Sequence, residues 1–281
     1  TLAFKDVALQ LLGNLSAYIL EQRGGCLNIL GATSGDTGSA AIHGVRGKKN
    51  INIFVMHPAG RTSPIQERQM TSVLDENVFN LAVEGTFDDC QDLVKACFND
   101  ADFRDGVNLS AVNSINWARL VPQIVYYFTS AIMLGAPDKP IAFSVPTGNF
   151  GNVFAGWAAK QMGLPIEKLI VASNRNDILT RFFETGQMRR DDVVPSLSPS
   201  MDIQVSSNFE RLLFELLGRD GDLVRMLMNQ FLETGQFEVA PDILAKACGT
   251  FSGFRLDDAG TRAEIARTAR ETGMVIDPHS A

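Results

Sequence analysis

Pro146-Thr147-Gly148-Asn149-Phe150-Gly151-Asn152 is the stretch around which the rest of the chain can be read. A short apolar run, Ile141 to Val145, precedes it and reads as a buried strand. Val153 to Met162 follows, a helix rich in small residues (Ala155, Gly156, Ala158, Ala159). The glycines therefore stand at a strand-to-helix turn. The first N–H groups of a helix have no partner inside it, and the helix dipole favours negative charge there. Gly148 and Gly151 let backbone approach a ligand with no side chain between. Physically this is a phosphate cradle. An ordinary βα turn has the same local pattern, so the loop acquires meaning only beside other stretches.

A second unit of the same kind lies upstream. Leu27 to Gly31 reads as a strand, Ala32-Thr33-Ser34-Gly35-Asp36-Thr37-Gly38 as a hydroxyl-rich loop, and Ser39 to Val45 as a helix. That loop can also receive an anion. It lacks both the lysine of a Walker loop and the GxGxxG spacing of a dinucleotide fingerprint, which argues against ATP and NAD. Before it, Ala3 to Gln22 carries apolar residues at helical spacing, and Gly24-Gly25 ends the helix. Lys5 falls in its first turn, where the dipole disfavours a cation. Lys5 is there either a tolerated, solvated lysine or an amine whose neutral form is favoured.

Further along, strands are expected at 51–56, 77–83 and 169–172. Helices are expected at 86–98 (capped by Thr86 or Asp88), 120–134, 208–217, 223–234 and 257–272. Ser63, Pro64 and Gln66 form a capping-box pattern. Such alternation points to α/β architecture with parallel sheet. Asn113, Ser114, Asn116 and Arg119 form a polar cluster at a helix start. Ser114 or Asn116 can be a plain N-cap, while Arg119 adds a fork suited to phosphate or carboxylate. Residues 186–205 are irregular. Two domains are expected, 1–135 and 136–281, the second with an inserted helical region at about 186–250. The closing residues Ile276 to Ala281 read as a strand entering a turn.

The 281 residues carry 25 Lys and Arg against 32 Asp and Glu, a net charge of −7. That disfavours nucleic acid and anionic membrane as partners. The four cysteines show no metal-ligand spacing, no metal site is expected, and reduced thiols in the cytoplasm are the default. No segment is long and apolar enough for a bilayer span.

Five strings occur in order: Leu2-Ala3-Phe4-Lys5-Asp6, Ser34 to Gly38, Asn113 to Arg119, Pro146 to Asn152, and Asp277-Pro278-His279. Together they resemble the threonine synthase family, in its bacterial and fungal branch, within the fold-type II pyridoxal-phosphate enzymes. Ser63 to Glu67 also fits that branch. The resemblance implies a tryptophan synthase β-like fold of two α/β domains. It implies that Lys5 holds pyridoxal phosphate as a Schiff base and moves protons, and that Gly148, Asn149, Phe150, Gly151 and Asn152 hold the cofactor phosphate. By the same likeness Ser34, Gly35, Asp36 and Thr37 face the substrate carboxylate and the cofactor ring edge, Asp36 on the cofactor side. Ser114, Asn116 and Arg119, with Asn152, bind the substrate phosphate. The implied reaction converts O-phospho-L-homoserine and water to L-threonine and phosphate, in a monomer or homodimer.

The family's chains carry a further N-terminal portion and continue past the Asp-Pro-His motif, where a Ser or Thr meets the pyridine nitrogen. This sequence opens on Thr1 and closes on Ala281. An excised segment is therefore expected, natural processing being the alternative. Two rival functions share parts of the pattern. A serine or threonine dehydratase, or a cysteine synthase-like enzyme, shares Lys5 and the Gly148 loop but needs no second phosphate site. A non-catalytic phosphate-binding module needs no reactive lysine.

Overall fold

The computed structural model describes residue 1 and residues 3–33, 35–112 and 116–281, the side chain of Asp88 excepted. The chain divides into two compact units, Thr1–Pro122 and Gln123–Ala281.

The first unit is built on a four-stranded sheet of order β3-β2-β1-β4, from β1 (Leu27–Ala32), β2 (Ile51–Pro58), β3 (Val78–Val83) and β4 (Leu109–Ser110). All three pairings are parallel. Along β2, Ile51, Ile53 and Val55 are buried while Asn52, Phe54 and Met56 are only half-buried, the period-two signature of a strand with one fully covered face. That face meets Ala40, Ala41, Ile42 and Val45 of α2 (Asp36–Val45), and Leu9 of α1 (Lys5–Arg23) joins the same core.

Glycines set how α1 meets α2. A methyl group added at Gly13 would overlap the carbonyl oxygen of Gly44, and one at Gly44 would lie 2.6 Å from that of Leu9. The two backbones thus touch, which only residues without Cβ permit. The helices contact at Lys5 with Asp36 and again at Gly13 with Gly44. Each pair lies eight residues beyond the last on both helices, so α1 and α2 run in the same direction and start side by side. The remaining helices of the unit are α3 (Pro64–Thr71), α4 (Phe87–Asn99) and the short α5 (Ala101–Gly106).

The second unit holds a parallel sheet of order β5-β6-β9, from β5 (Ile141–Pro146), β6 (Ile166–Ser173) and β9 (Phe251–Arg255). Between β5 and β6 runs α7 (Gly151–Gln161), and α8 (Ile178–Thr185) follows β6. Between α8 and β9 lie an antiparallel pair, β7 (Gln187–Arg189) with β8 (Gln236–Glu238), and a 3-10 turn at Pro199–Met201. The same stretch holds α9 (Phe209–Leu216), α10 (Gly221–Thr234) and α11 (Pro241–Cys248). The last helix is α12 (Asp258–Thr272). A phenylalanine cluster fills the core: Phe150 lies 5.3 Å from Phe209 and 5.6 Å from Phe251, ring centre to ring centre.

Several sequence expectations differ from the structure. The division falls inside α6 (Trp117–Met133) rather than after residue 135. Partners change along that helix: Arg119 is tied to Val112, whereas Tyr127 packs on Phe143 and bonds Asn152. Ser63 opens α3 but makes no side-chain cap bond, and the Gln66 side chain packs against Gly35 instead of closing a box. The closing residues form no strand; Asp277 instead accepts from the His279 N–H at 2.8 Å in a side-chain turn. Thr86, by contrast, does cap α4, in a reciprocal box with Asp89.

Candidate active site

Lys5 is the first residue of α1, and its side chain keeps only 14% of its surface exposed. Its Nζ donates to Asp36 Oδ2, the carboxylate at the first position of α2. The parallel start of the two helices is what makes this pair. Burial lowers the Lys5 pKa, Asp36 raises it by charge and hydrogen bond, and the Arg119 guanidinium lowers it further; the net direction is down from 10.5. An amine so placed gives up its proton at lower pH than a free lysine.

Asp36 is itself fixed. Its Oδ1 accepts from the Thr37 N–H at 2.6 Å and from the Thr37 hydroxyl at 3.3 Å. The loop before it depends on Thr33, whose buried hydroxyl accepts from the N–H groups of Gly35 and Gly38, each at 2.9 Å. Gly35 takes φ 143°, a backbone that side chains disfavour, with Gln66 of α3 packed over it. Thr33 and Gln66 were not legible as site residues, although a hydroxyl just before a glycine loop is a fair signal for such a cap.

Arg119 is buried, and its Nη1 donates to the Val112 carbonyl at 2.5 Å. Asn116 acts as the N-cap of α6, its Oδ1 accepting from the Ala118 N–H at 2.9 Å. That oxygen is thus committed to the helix, and the NH2 is the donor half of the amide. Ser34 and Ser114, both expected at the substrate, lie outside the described residues, as do Leu2 and Asn113. The first unit therefore brings Lys5, Asp36, Thr37, Gly35 and Arg119 to one end. A cavity of about 530 Å3 opens beside the same loop, lined by Thr33, Thr37, Gly38, Gln91 and Lys95 among others, and neither Lys5, Asp36 nor Arg119 reaches it.

In the second unit, the stretch Pro146 to Asn152 ends β5 and starts α7. Phe150 caps the helix in the left-handed region at φ 62° while its ring is buried. A non-glycine residue held there costs about 1–3 kcal/mol and persists only where the surroundings enforce it; here the phenylalanine cluster does so. Asn152 Oδ1 accepts from the buried Tyr127 hydroxyl at 2.5 Å, and the Asn152 carbonyl lies 2.9 Å from the same oxygen. Burial pushes the Tyr127 phenol well up, so it stays protonated as a donor. With Oδ1 engaged, the NH2 is the donor half of the Asn152 amide. At the chain's end, His279 Nε2 accepts from the Ser200 N–H at 3.3 Å while Nδ1 sits 2.6 Å from Asp277.

Each unit by itself carries a feature that suits a pyridoxal-phosphate group: the first a buried amine of lowered proton affinity, the second a glycine turn that opens a helix, where the leading N–H groups have no partner within the helix. Among the described residues, no helix is long and apolar enough to cross a membrane.

Residues 1–230 match the protein family described as pyridoxal-phosphate dependent enzyme. Among curated proteins, the chain is 55% identical to threonine synthase of Pseudomonas aeruginosa, over all of this chain and 60% of that protein. It is 47% identical to threonine synthase of Saccharomyces cerevisiae, over all of this chain and 59% of that one. Among solved structures, it superposes on PLP-bound threonine synthase from Brucella melitensis with a TM-score of 0.96 and 54% identity, covering 99% of this chain and 60% of the other. The chain thus spans about 60% of the length of the relatives it matches.

Proposed function

Because the chain belongs to the pyridoxal-phosphate dependent enzymes, we propose that the protein acts as a threonine synthase, converting O-phospho-L-homoserine and water to L-threonine and phosphate. The observation that carries this reading is the Lys5 amine, shielded, paired with Asp36 and under the influence of the Arg119 charge. Relatives named threonine synthase at 47 to 55% identity support the reading.

Bound pyridoxal phosphate supplies the conjugated electron sink that no side chain offers. Lys5 would hold that group covalently and, once the substrate's amino group had taken its place, the freed amine would move protons at Cα and Cβ of the substrate, which requires an amine that is readily neutral. Burial lowers the proton affinity of that amine, and Asp36 holds it in place and partly restores that affinity. The N–H groups opening α7, with Gly148, Asn149, Phe150, Gly151 and Asn152, take the cofactor phosphate. Ser34, Gly35 and Thr37 take the substrate carboxylate. Ser114, Asn116 and Arg119 take the substrate phosphate, Arg119 through its fork. The enzyme works in the cytoplasm, in keeping with its four free cysteines, on a small anionic substrate.

The test is phosphate release from O-phospho-L-homoserine by the whole protein, with threonine identified as the other product. Lys5→Ala abolishes both the release and the near-visible absorbance of the lysine-bound cofactor. Arg119→Ala weakens turnover of the phosphorylated substrate far more than it weakens cofactor binding. Equal loss of both, or deamination of serine without phosphate release, would point to a different enzyme on the same fold.

A further inference from the structure

The loop that opens α7 is held from behind by a segment 58 residues further along the chain. The Ser206 hydroxyl donates to the Gly148 carbonyl at 2.7 Å. The backbone N–H and the side-chain amide of Asn208 both donate to the Asn149 carbonyl, at 3.1 and 2.9 Å. The Ser207 hydroxyl donates to Asn149 Oδ1 at 3.1 Å. Asn208 is fully buried, and its amide nitrogen would stand 3.4 Å from a Cβ placed on Gly151. The segment is anchored in turn: Asn208 Oδ1 accepts from Arg211 Nε at 3.1 Å, and the neighbouring Phe209 ring packs edge-on against Phe150.

We propose that Ser206 and Asn208 are positioning residues that aim the backbone donors of the Gly148–Phe150 turn at the cofactor phosphate; this rests on the cofactor reading given above. The reason is the geometry of the peptide. In a planar trans unit the carbonyl of one residue and the N–H of the next point in opposite directions. Fixing the Gly148 and Asn149 carbonyls toward Ser206 and Asn208 therefore turns the N–H groups of Asn149 and Phe150 away from that segment. Two consecutive N–H groups so aimed, at the start of a helix, form an anion-binding concavity. The phenylalanine cluster holds Phe150 in its left-handed backbone, and the pinned Gly148 and Asn149 carbonyls fix the two peptides that lead into it. Neither Ser206 nor Asn208 needs to touch the phosphate.

The experiment compares Asn208→Ala, Ser206→Ala and Ser206→Thr with the wild type, each as the whole protein. Cofactor affinity is read by absorbance titration, and the bound phosphate by its 31P resonance. Asn208→Ala lowers affinity by about tenfold or more, the scale of a buried hydrogen-bond donor removed from its acceptor, and displaces the 31P resonance. Ser206→Ala does the same to a smaller extent, and Ser206→Thr, which restores the hydroxyl, recovers both readouts. At saturating cofactor the near-visible band stays in place in all three, because Lys5 is untouched. Wild-type affinity and an unmoved 31P resonance in both alanine variants would overturn the proposal and leave the cofactor reading standing. The same holds if Asn208→Ala merely unfolds while Ser206→Ala behaves as wild type. A wild-type protein that takes up no cofactor would overturn both.

Discussion

The Lys5 ammonium feels three influences of different sign. Burial and Arg119 push it toward the neutral amine, and Asp36 pulls it back. Removing the pull has a definite direction. Asp36→Asn lowers the pH at which Lys5 becomes neutral, so the lower limb of the pH profile for cofactor attachment moves to more acid pH. An unmoved profile would show that Asp36 does not set the charge of the amine. A second residue-scale test concerns Tyr127, whose buried hydroxyl faces Asn152 Oδ1 at 2.5 Å. Tyr127→Phe removes that donor and leaves a shielded amide oxygen unsatisfied, a loss of about 1–3 kcal/mol in denaturant unfolding. It also frees the Asn152 amide to turn, so cofactor affinity falls with stability. Loss of stability with unchanged affinity would confine Tyr127 to packing.

At the scale of elements, the contact between α1 and α2 decides where Lys5 can be. Both helices offer glycine at the crossing, and a methyl group at Gly13 would collide with the Gly44 carbonyl. Gly13→Ala therefore forces the helices apart. Overpacking of this kind costs about 1–3 kcal/mol, against a helix-propensity gain of about 1 kcal/mol. We expect a net fall in the melting temperature and weaker cofactor attachment, because the Lys5–Asp36 pair sits eight residues from the strain on each helix. A melting temperature equal to or above wild type would mean that the helices separate without cost. These elements also mark where the sequence was readable. Each strand–glycine loop–helix unit carries its signals within a dozen residues, so β1–α2 and β5–α7 were legible, as was the Lys5 helix. The short strands were not: β4 has two residues, and β9 has one buried side chain, Phe251, too little for a periodic pattern. The Ser206–Asn208 clamp was illegible for another reason. Its partners lie far away in sequence, and a Ser-Ser-Asn run before a helix reads locally as nothing more than a cap. The capping-box pattern at Ser63 misled in the opposite sense: Ser63 opens α3 without a side-chain cap bond, and Gln66 packs over Gly35.

For the whole molecule, the buried amine links folding to pH, and the sign can be worked out. The Lys5 pKa is depressed in the folded protein, so in the window below 10.5 the unfolded chain holds a proton that the folded one has released. Stability then rises with pH across that window, by about 1.4 kcal/mol per pH unit from this group alone where the two states differ by a full proton. Other groups oppose it at the alkaline end. The Cys90 thiol and the Tyr127 phenol are both pushed up by burial, so stability from them falls as pH climbs past their ordinary values of 9.0 and 10.0. The depressed carboxylates, Asp6 among them, act only in acid. The Lys5 contribution is therefore isolated by difference. Unfolding free energies of the cofactor-free wild type and of Lys5→Met, measured from pH 7 to 10, should diverge: the wild type gains on the variant as pH rises, and the gap between them changes in that direction only. Methionine keeps the apolar stem without the charge, which separates titration from packing. Parallel curves would mean that Lys5 keeps an ordinary proton affinity in the fold, and the argument for an amine prepared as a proton carrier would fail with it.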